Sequence, residues 1–125
     1  MNVYLDSSAA AKVLLGEPEA DAVAHFLRND DHDIVSSDLL ETELRRIAVR
    51  EGLPQLSVTQ FLQPVEIHAL PRNLYVEAGI LPGLIRTLDA LHVVAAIRLG
   101  VDSFLTYDRR LAAAAEANGF AIARP

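Results

Sequence analysis

Between Thr87 and Leu111 the chain reads TLDALHVVAAIRLGVDSFLTYDRRL, and this stretch restricts the fold more than any other. Leu88, Leu91, Val94, Ala95 and Leu99 keep helical spacing, and Gly100 stops the helix. Ser103–Tyr107 is then short, apolar and aromatic, as a buried strand should be, and a second helix follows. An aspartate stands at each end of the unit. Asp89 lies in the first turn of one helix, and Asp108 lies where the strand yields to the next. In an open α/β sheet, chemistry collects where strands end and helices begin.

The same grammar runs through the rest of the chain. Asn2–Leu5 is an apolar strand ended by Asp6; Ser7 and Ser8 offer capping hydroxyls to a helix closed by Gly16. Pro18 opens a helix to about Asn29, and Asn29–Asp33 (NDDHD) is a solvated turn without the glycine or spacing of a calcium loop. Ile34–Ser36 is a strand, and Ser37 or Asp38 caps a long helix from Leu39 to Glu51. Leu56–Leu62 is a short helix, Val65–Leu70 a strand, and Pro71 begins a further helix. Gly79–Gly83 is a loop leading to Thr87, the expected N-cap of the helix that carries Asp89. After Asp108 an alanine-rich helix over Arg109–Asn118 ends at Gly119, before a last strand at Phe120–Ala123. Strands alternating with helices predict a mostly parallel sheet covered on both faces. With 125 residues and no linker or repeat, a single domain over 1–125 is expected.

Composition removes several kinds of chemistry. There is no cysteine, so disulfides, thiolate metal sites and cysteine nucleophiles are excluded together. No window approaches the roughly 18–20 apolar residues of a membrane span, and no leader is visible ahead of VYLD, so a soluble, cytoplasmic protein is expected. The net charge of −6 speaks against a protein that lives on nucleic acid, yet the basic residues are ten arginines and one lysine, Lys12. Arginine is the better phosphate and carboxylate partner. Arg45, Arg46, Arg50, Arg86, Arg109 and Arg110 are the candidates for a basic rim, and each taken singly reads as ordinary surface.

Three aspartates, Asp6, Asp89 and Asp108, have local explanations as helix caps or first-turn acids. Their shared address has none. If the strands beginning at Asn2 and Ser103 are neighbours, Asp6 and Asp108 emerge at one sheet edge. Glu41 and Glu43 flank the buried stripe of the long helix, and spacing alone leaves both open as a further acid. Carboxylates gathered in this way need a cation, and oxygen-only ligands suit Mg²⁺ or Mn²⁺ better than zinc. Such a site fits metal-assisted phosphodiester hydrolysis. His92, one turn after Asp89, reads as a hydrogen-bonded packing residue within ALHVVAA, and His25, His32 and His68 receive no role.

The segments YLDSSA, SSDLLETELRR, RTLDALHVVAA and FLTYDRRL together resemble a PIN-domain ribonuclease, in particular the VapC-type toxins of toxin–antitoxin pairs. The resemblance implies a three-layer α/β/α fold with a central, mostly parallel sheet of about five strands. It implies four catalytic acids at Asp6, Glu43, Asp89 and Asp108, and the glutamate–aliphatic–basic pattern of Glu43-Leu44-Arg45 selects Glu43. Asp6, Asp89 and Asp108 are then the metal ligands, and Thr106 is the supporting hydroxyl that orients Asp6. The cofactor implied is Mg²⁺, with Mn²⁺ as its substitute. RNA is the implied substrate, and the implied partners are a VapB-like antitoxin and a second copy of the chain. A nuclease of RNA maturation or quality control without an antitoxin, and a non-catalytic PIN-like binding module, are the competing readings. A phosphatase with a nucleophilic Asp6 would need an aspartate where Ser8 stands, and a receiver domain would need a lysine late in the chain.

Overall fold

The computed structural model describes residues 1–125. Its elements are β1 (Asn2–Leu5), α1 (Ser7–Leu14), α2 (Ala20–Leu27), β2 (Asp33–Ser37), α3 (Asp38–Glu51), α4 (Gln55–Leu62) and β3 (Glu66–His68). There follow α5 (Arg72–Gly79), α6 (Thr87–Leu99), β4 (Ser103–Leu105), α7 (Arg109–Ala117) and β5 (Ala121–Ala123). The five strands form one sheet in the order β3-β2-β1-β4-β5, and every pairing is parallel.

The period of two along β1 divides the interior. Val3 and Leu5 point to one face, where they join Ala9 and Ala10 of α1, Val23 of α2, Leu40 and Leu44 of α3, and Val58 of α4. Tyr4 points to the other, with Phe104, Leu74 of α5, Val93 and Val94 of α6, and Leu111 of α7. Helices therefore cover both faces, giving the three-layer α/β/α arrangement that the alternation of elements implies. Burying each of these large side chains contributes about 1.5–3 kcal/mol. The Tyr4 and Phe104 rings pack 4.9 Å apart between centroids, locking the β1–β4 pair that carries the candidate acids.

α6 is enclosed along most of its length, with Asp89, Ala90, His92, Val93, Val94, Ala95 and Ala96 all buried. Its small residues let it lie close to the sheet, and Gly100 ends it in the left-handed region at φ 65°. Thr87 does not cap this helix: Arg86 holds the N-cap position and Thr87 is the first helical residue. Ser37 likewise holds the N-cap position of α3 without a capping hydrogen bond, because its hydroxyl is taken by Tyr4.

After β1 the chain steps outward through β2 to β3, then returns to place β4 on the opposite side of β1. The C-terminal ends of β1 and β4 thus form the point where the winding reverses, the place at which α/β sheets open a crevice. Leu5 pairs with Leu105, so Asp6 and Thr106 leave the sheet side by side.

Candidate active site

Four carboxylates line one cleft of about 310 Å³ at this reversal point: Asp6, Glu43, Asp89 and Asp108. Each arrives on a different element. Asp6 follows β1 and is 4 % exposed. Its Oδ2 caps α1 by accepting from the Ser8 backbone N–H at 3.2 Å. The same oxygen accepts the Ser8 hydroxyl at 2.6 Å and the Thr106 hydroxyl at 2.9 Å. The capping role read from sequence is therefore real and shares one residue with the cleft. All these bonds fall on Oδ2, which leaves Oδ1 without a protein partner.

Ser8 and Thr106 also tie β4 to α1. The Tyr107 N–H donates to Ser8 Oγ at 2.8 Å, and the Asp108 N–H donates to Thr106 Oγ1 at 3.0 Å. Each hydroxyl has one hydrogen, and both hydrogens point at Asp6. The sequence alone offers Ser8 as a cap, and its second position after the strand-end aspartate is the signal for its place beside Asp6.

Glu43 leaves α3 beside the buried Leu40 and Leu44 and enters the cleft. Ser7 Oγ donates to its Oε2 at 3.1 Å. His92 Nε2 lies 2.8 Å from its Oε1. Glu41 turns the other way and pairs with Arg45 at 2.9 Å, and Arg45 goes on to Gln55 and Thr59 of α4. That places Arg45 as a brace between α3 and α4.

His92 is buried and hydrogen-bonded, as expected of a packing residue, but it also reaches the cleft. It is 1 % exposed, with Nδ1 2.7 Å from the Tyr4 hydroxyl. Tyr4 is held protonated, its pKa raised above the ordinary value chiefly by burial. Facing a carboxylate, Nε2 carries the ring proton, so in the neutral ring Nδ1 accepts from Tyr4. A single chain then runs from Ser37 through Tyr4 and His92 to Glu43.

Asp89, 5 % exposed, and Asp108 are joined by one side chain. Arg86 Nε donates to Asp89 Oδ2 at 2.7 Å, and Arg86 Nη2 donates to Asp108 Oδ1 and Oδ2 at 3.2 and 3.1 Å. Asp108 also caps α7, accepting from the N–H groups of Arg110 and Leu111. Burial works against its ionised form, but these two N–H groups and Arg86 outweigh it and the Asp108 pKa is lowered. The Arg86 pKa is raised, first by its bond to Asp89. The spacing of Arg86 three residues before Asp89 is the sequence signal for this pairing.

Four carboxylates thus face one guanidinium. That excess of negative charge, with Asp6 and Asp89 buried and Glu43 and Asp108 partly exposed, suits a cation. Asp6, Glu43 and His92 each offer one ligand atom, and the three atoms lie within 4.8 Å of one another. Asp89 and Asp108, which the resemblance implies as metal ligands together with Asp6, line the same cleft and hold Arg86.

A sequence profile described as the PIN domain matches residues 3–117. The chain belongs to the PIN-domain family. This PIN domain is 38 % identical over 127 residues to Ribonuclease VapC46 of Mycobacterium tuberculosis, covering 98 % of this chain and 97 % of that one. In structure it is similar to Mycobacterium tuberculosis VapC20, described as a sarcin-ricin loop cleaving toxin, with a TM-score of 0.77 at 15 % identity, over 98 % and 99 % of the two chains. It is also similar to a chain of a toxin–antitoxin complex from Klebsiella pneumoniae, with a TM-score of 0.76 at 13 % identity, over 98 % and 97 % of the chains. At those identities the structural likeness concerns the fold, and it agrees with the five-stranded sheet and its two helical layers. No helix of the chain is long and apolar enough to cross a membrane.

Proposed function

We propose that the chain is one PIN-like domain over residues 1–125 and a divalent-metal-dependent endoribonuclease, the toxin of a toxin–antitoxin pair. The observation that carries this reading is the convergence of Asp6, Glu43, Asp89 and Asp108 on one cleft with a single guanidinium to balance them. The ribonuclease names of full-length relatives support it.

The donor set fits a hard ion. Asp6 and Glu43 present carboxylate oxygens that suit Mg²⁺, with Mn²⁺ as its substitute. When bound, such an ion neutralises charge on a phosphoryl oxygen and lowers the pKa of a bound water. The chain's own residues do the rest. Ser8 and Thr106 fix one oxygen of Asp6, leaving the other for the ion. His92 and Ser7 hold the two oxygens of Glu43. Asp89 and Asp108 complete the acidic wall and orient Arg86. In this reading the substrate is RNA, the compartment is the cytoplasm, and the partners are a basic VapB-like antitoxin and a second copy of the chain. A basic antitoxin segment is electrostatically complementary to the acidic cleft.

The test is cleavage of total RNA by the purified protein with Mg²⁺, beside Asp6→Asn, Asp89→Asn and added EDTA. Discrete fragments from the unmodified protein alone support the reading. Cleavage that survives both substitutions overturns the site assignment.

A further inference from the structure

The acidic cleft has a neighbour of opposite character. A groove of about 530 Å³ adjoins it, and Arg86 and Asp89 line both spaces as a common border. Its volume falls within the roughly 300–1,000 Å³ of small-ligand sites. One wall is the loop carrying Leu84 and Ile85, and the other is α7. Arg110, Ala113, Ala114 and Ala117 stand at helical positions i, i+3, i+4 and i+7, so they share one face of α7, and all four line the groove. Alanine at three of these positions keeps the floor open. A large side chain at the exposed Ala113 would fill it.

Charge divides the two spaces. In the cleft four carboxylates face one guanidinium, so it draws cations and repels a bare phosphate. In the groove the one carboxylate, Asp89, already holds Arg86 at 2.7 Å, and Arg110 is left over. The Arg110 backbone N–H donates to Asp108, but its exposed guanidinium forms no hydrogen bond or ion pair within the chain. Arg45, Arg50 and Arg98, by contrast, are each paired with a glutamate. An unpaired guanidinium beside an apolar floor suits a phosphate that carries a sugar and a base. A basic protein segment, drawn to the cleft, would meet like charge in the groove.

We propose that this groove is a subsite for single-stranded RNA. Arg110 binds the phosphate of a nucleotide flanking the scissile bond, and the alanine face of α7 carries that nucleotide's sugar and base. The strand then crosses the Arg86–Asp89 border into the cleft. The proposal rests on the reading of the cleft as a metal-dependent ribonuclease site, to which it adds the path of the substrate.

The experiment measures kcat and KM with Mg²⁺ for the full-length protein, free of antitoxin, at several salt concentrations. The substrate is one short single-stranded RNA containing a site cut in total RNA. Arg110→Gln is expected to raise KM roughly tenfold with kcat nearly unchanged. It is also expected to lower the slope of log KM against log salt by about 0.7, the share of one phosphate contact on a single strand. Ala113→Trp, which fills the groove, is expected to raise KM as well. Arg72→Gln removes an exposed charge from α5, outside the groove, and is expected to behave as the unmodified protein. Mn²⁺ affinity, read by electron paramagnetic resonance, is expected to be the same in all four proteins. Circular dichroism establishes folding, and Arg110→Gln carries the test should Ala113→Trp fail to fold. Arg110→Gln indistinguishable from Arg72→Gln, or altered in kcat alone, overturns the groove proposal and leaves the ribonuclease reading standing. So does a folded Ala113→Trp of unchanged KM, which would leave the groove to a protein segment. No RNA cleavage by the unmodified protein with Mg²⁺ overturns both.

Discussion

His92 Nε2 lies 2.8 Å from Glu43 Oε1, joining α6 to α3 across 49 residues of sequence. The contact makes a core helix responsible for the aim of a surface-facing carboxylate. Behind it, Tyr4 and Ser37 extend the chain of hydrogen bonds into β1 and the end of β2. Glu43 is therefore held from the interior of the sheet, and its conformation depends on residues that touch neither RNA nor ion.

Removing this support should weaken the site without dissolving it. His92→Ala is expected to lower both Mn²⁺ affinity and RNA cleavage by about 10–100-fold, the usual cost of losing an outer-sphere partner. His92→Gln, whose amide N–H can still donate to Glu43, is expected to recover part of that loss. Mn²⁺ titration beside cleavage rates on one RNA checks this, and equal behaviour of the two variants would contradict it.

Thr106 works on Asp6 through a single hydroxyl. Thr106→Val keeps the shape, removes the hydrogen donated to Asp6 Oδ2 and leaves the Asp108 N–H only its longer bond to Ser8 Oγ. The expected cost is about 1–3 kcal/mol in urea unfolding, because buried polar groups lose a partner. Thr106→Ser, retaining the hydroxyl, should lie close to the unmodified protein.

α5 and α6 are clasped by Arg98, which donates to Glu77 and to Asn73. The Arg98 hydrogen bond lowers the Glu77 pKa. A carboxyl whose folded-state pKa is depressed contributes stability above its ordinary pKa of 4.5, and that contribution is lost as pH falls through the folded value. Glu77→Gln should therefore melt slightly below the unmodified protein at neutral pH, and the two curves should converge in acid. Added salt should narrow the neutral-pH gap, since the pair is exposed. Melting temperatures between neutral pH and the acid range check the sign.

The helical layer that carries Glu43 rests on Leu44, which is fully buried. Leu44→Ala is expected to cost about 2–5 kcal/mol, and Leu44→Met less than about 1.5 kcal/mol, since only the first leaves a cavity. Urea midpoints at constant slope decide the matter.

Much of the fold was legible along the chain because its signals are local. Strand, aspartate and helix announce themselves at Leu5–Ala9 and again at Leu105–Leu111, and both form in that order, although β4 ends at Leu105 instead of Tyr107 and α1 begins at Ser7 with Asp6 as its cap. Element ends were less legible where a side chain had two possible employers. Thr87 has the chemistry of an N-cap, yet Arg86 takes that position, and the hydroxyl of Ser37 goes to Tyr4 in preference to the helix it precedes. Sequence spacing left Glu41 and Glu43 equivalent on the two borders of one stripe. Packing separates them: α4 offers Arg45 and Glu41 a common brace, and α6 offers Glu43 a histidine.

The sequence by itself determined the order and type of the elements, the two covered faces of the sheet, and the strand-end position of Asp6 and Asp108. Hydrophobic period and helix-stop residues act over a few neighbours, so a linear reading contains them. Only the tertiary structure decided that β1 and β4 are neighbours, that Thr106 meets Asp6 across 100 residues, and that Arg86 bridges Asp89 to Asp108. Those contacts depend on strand order and register to within a residue, and a shift of one position turns a side chain to the opposite face.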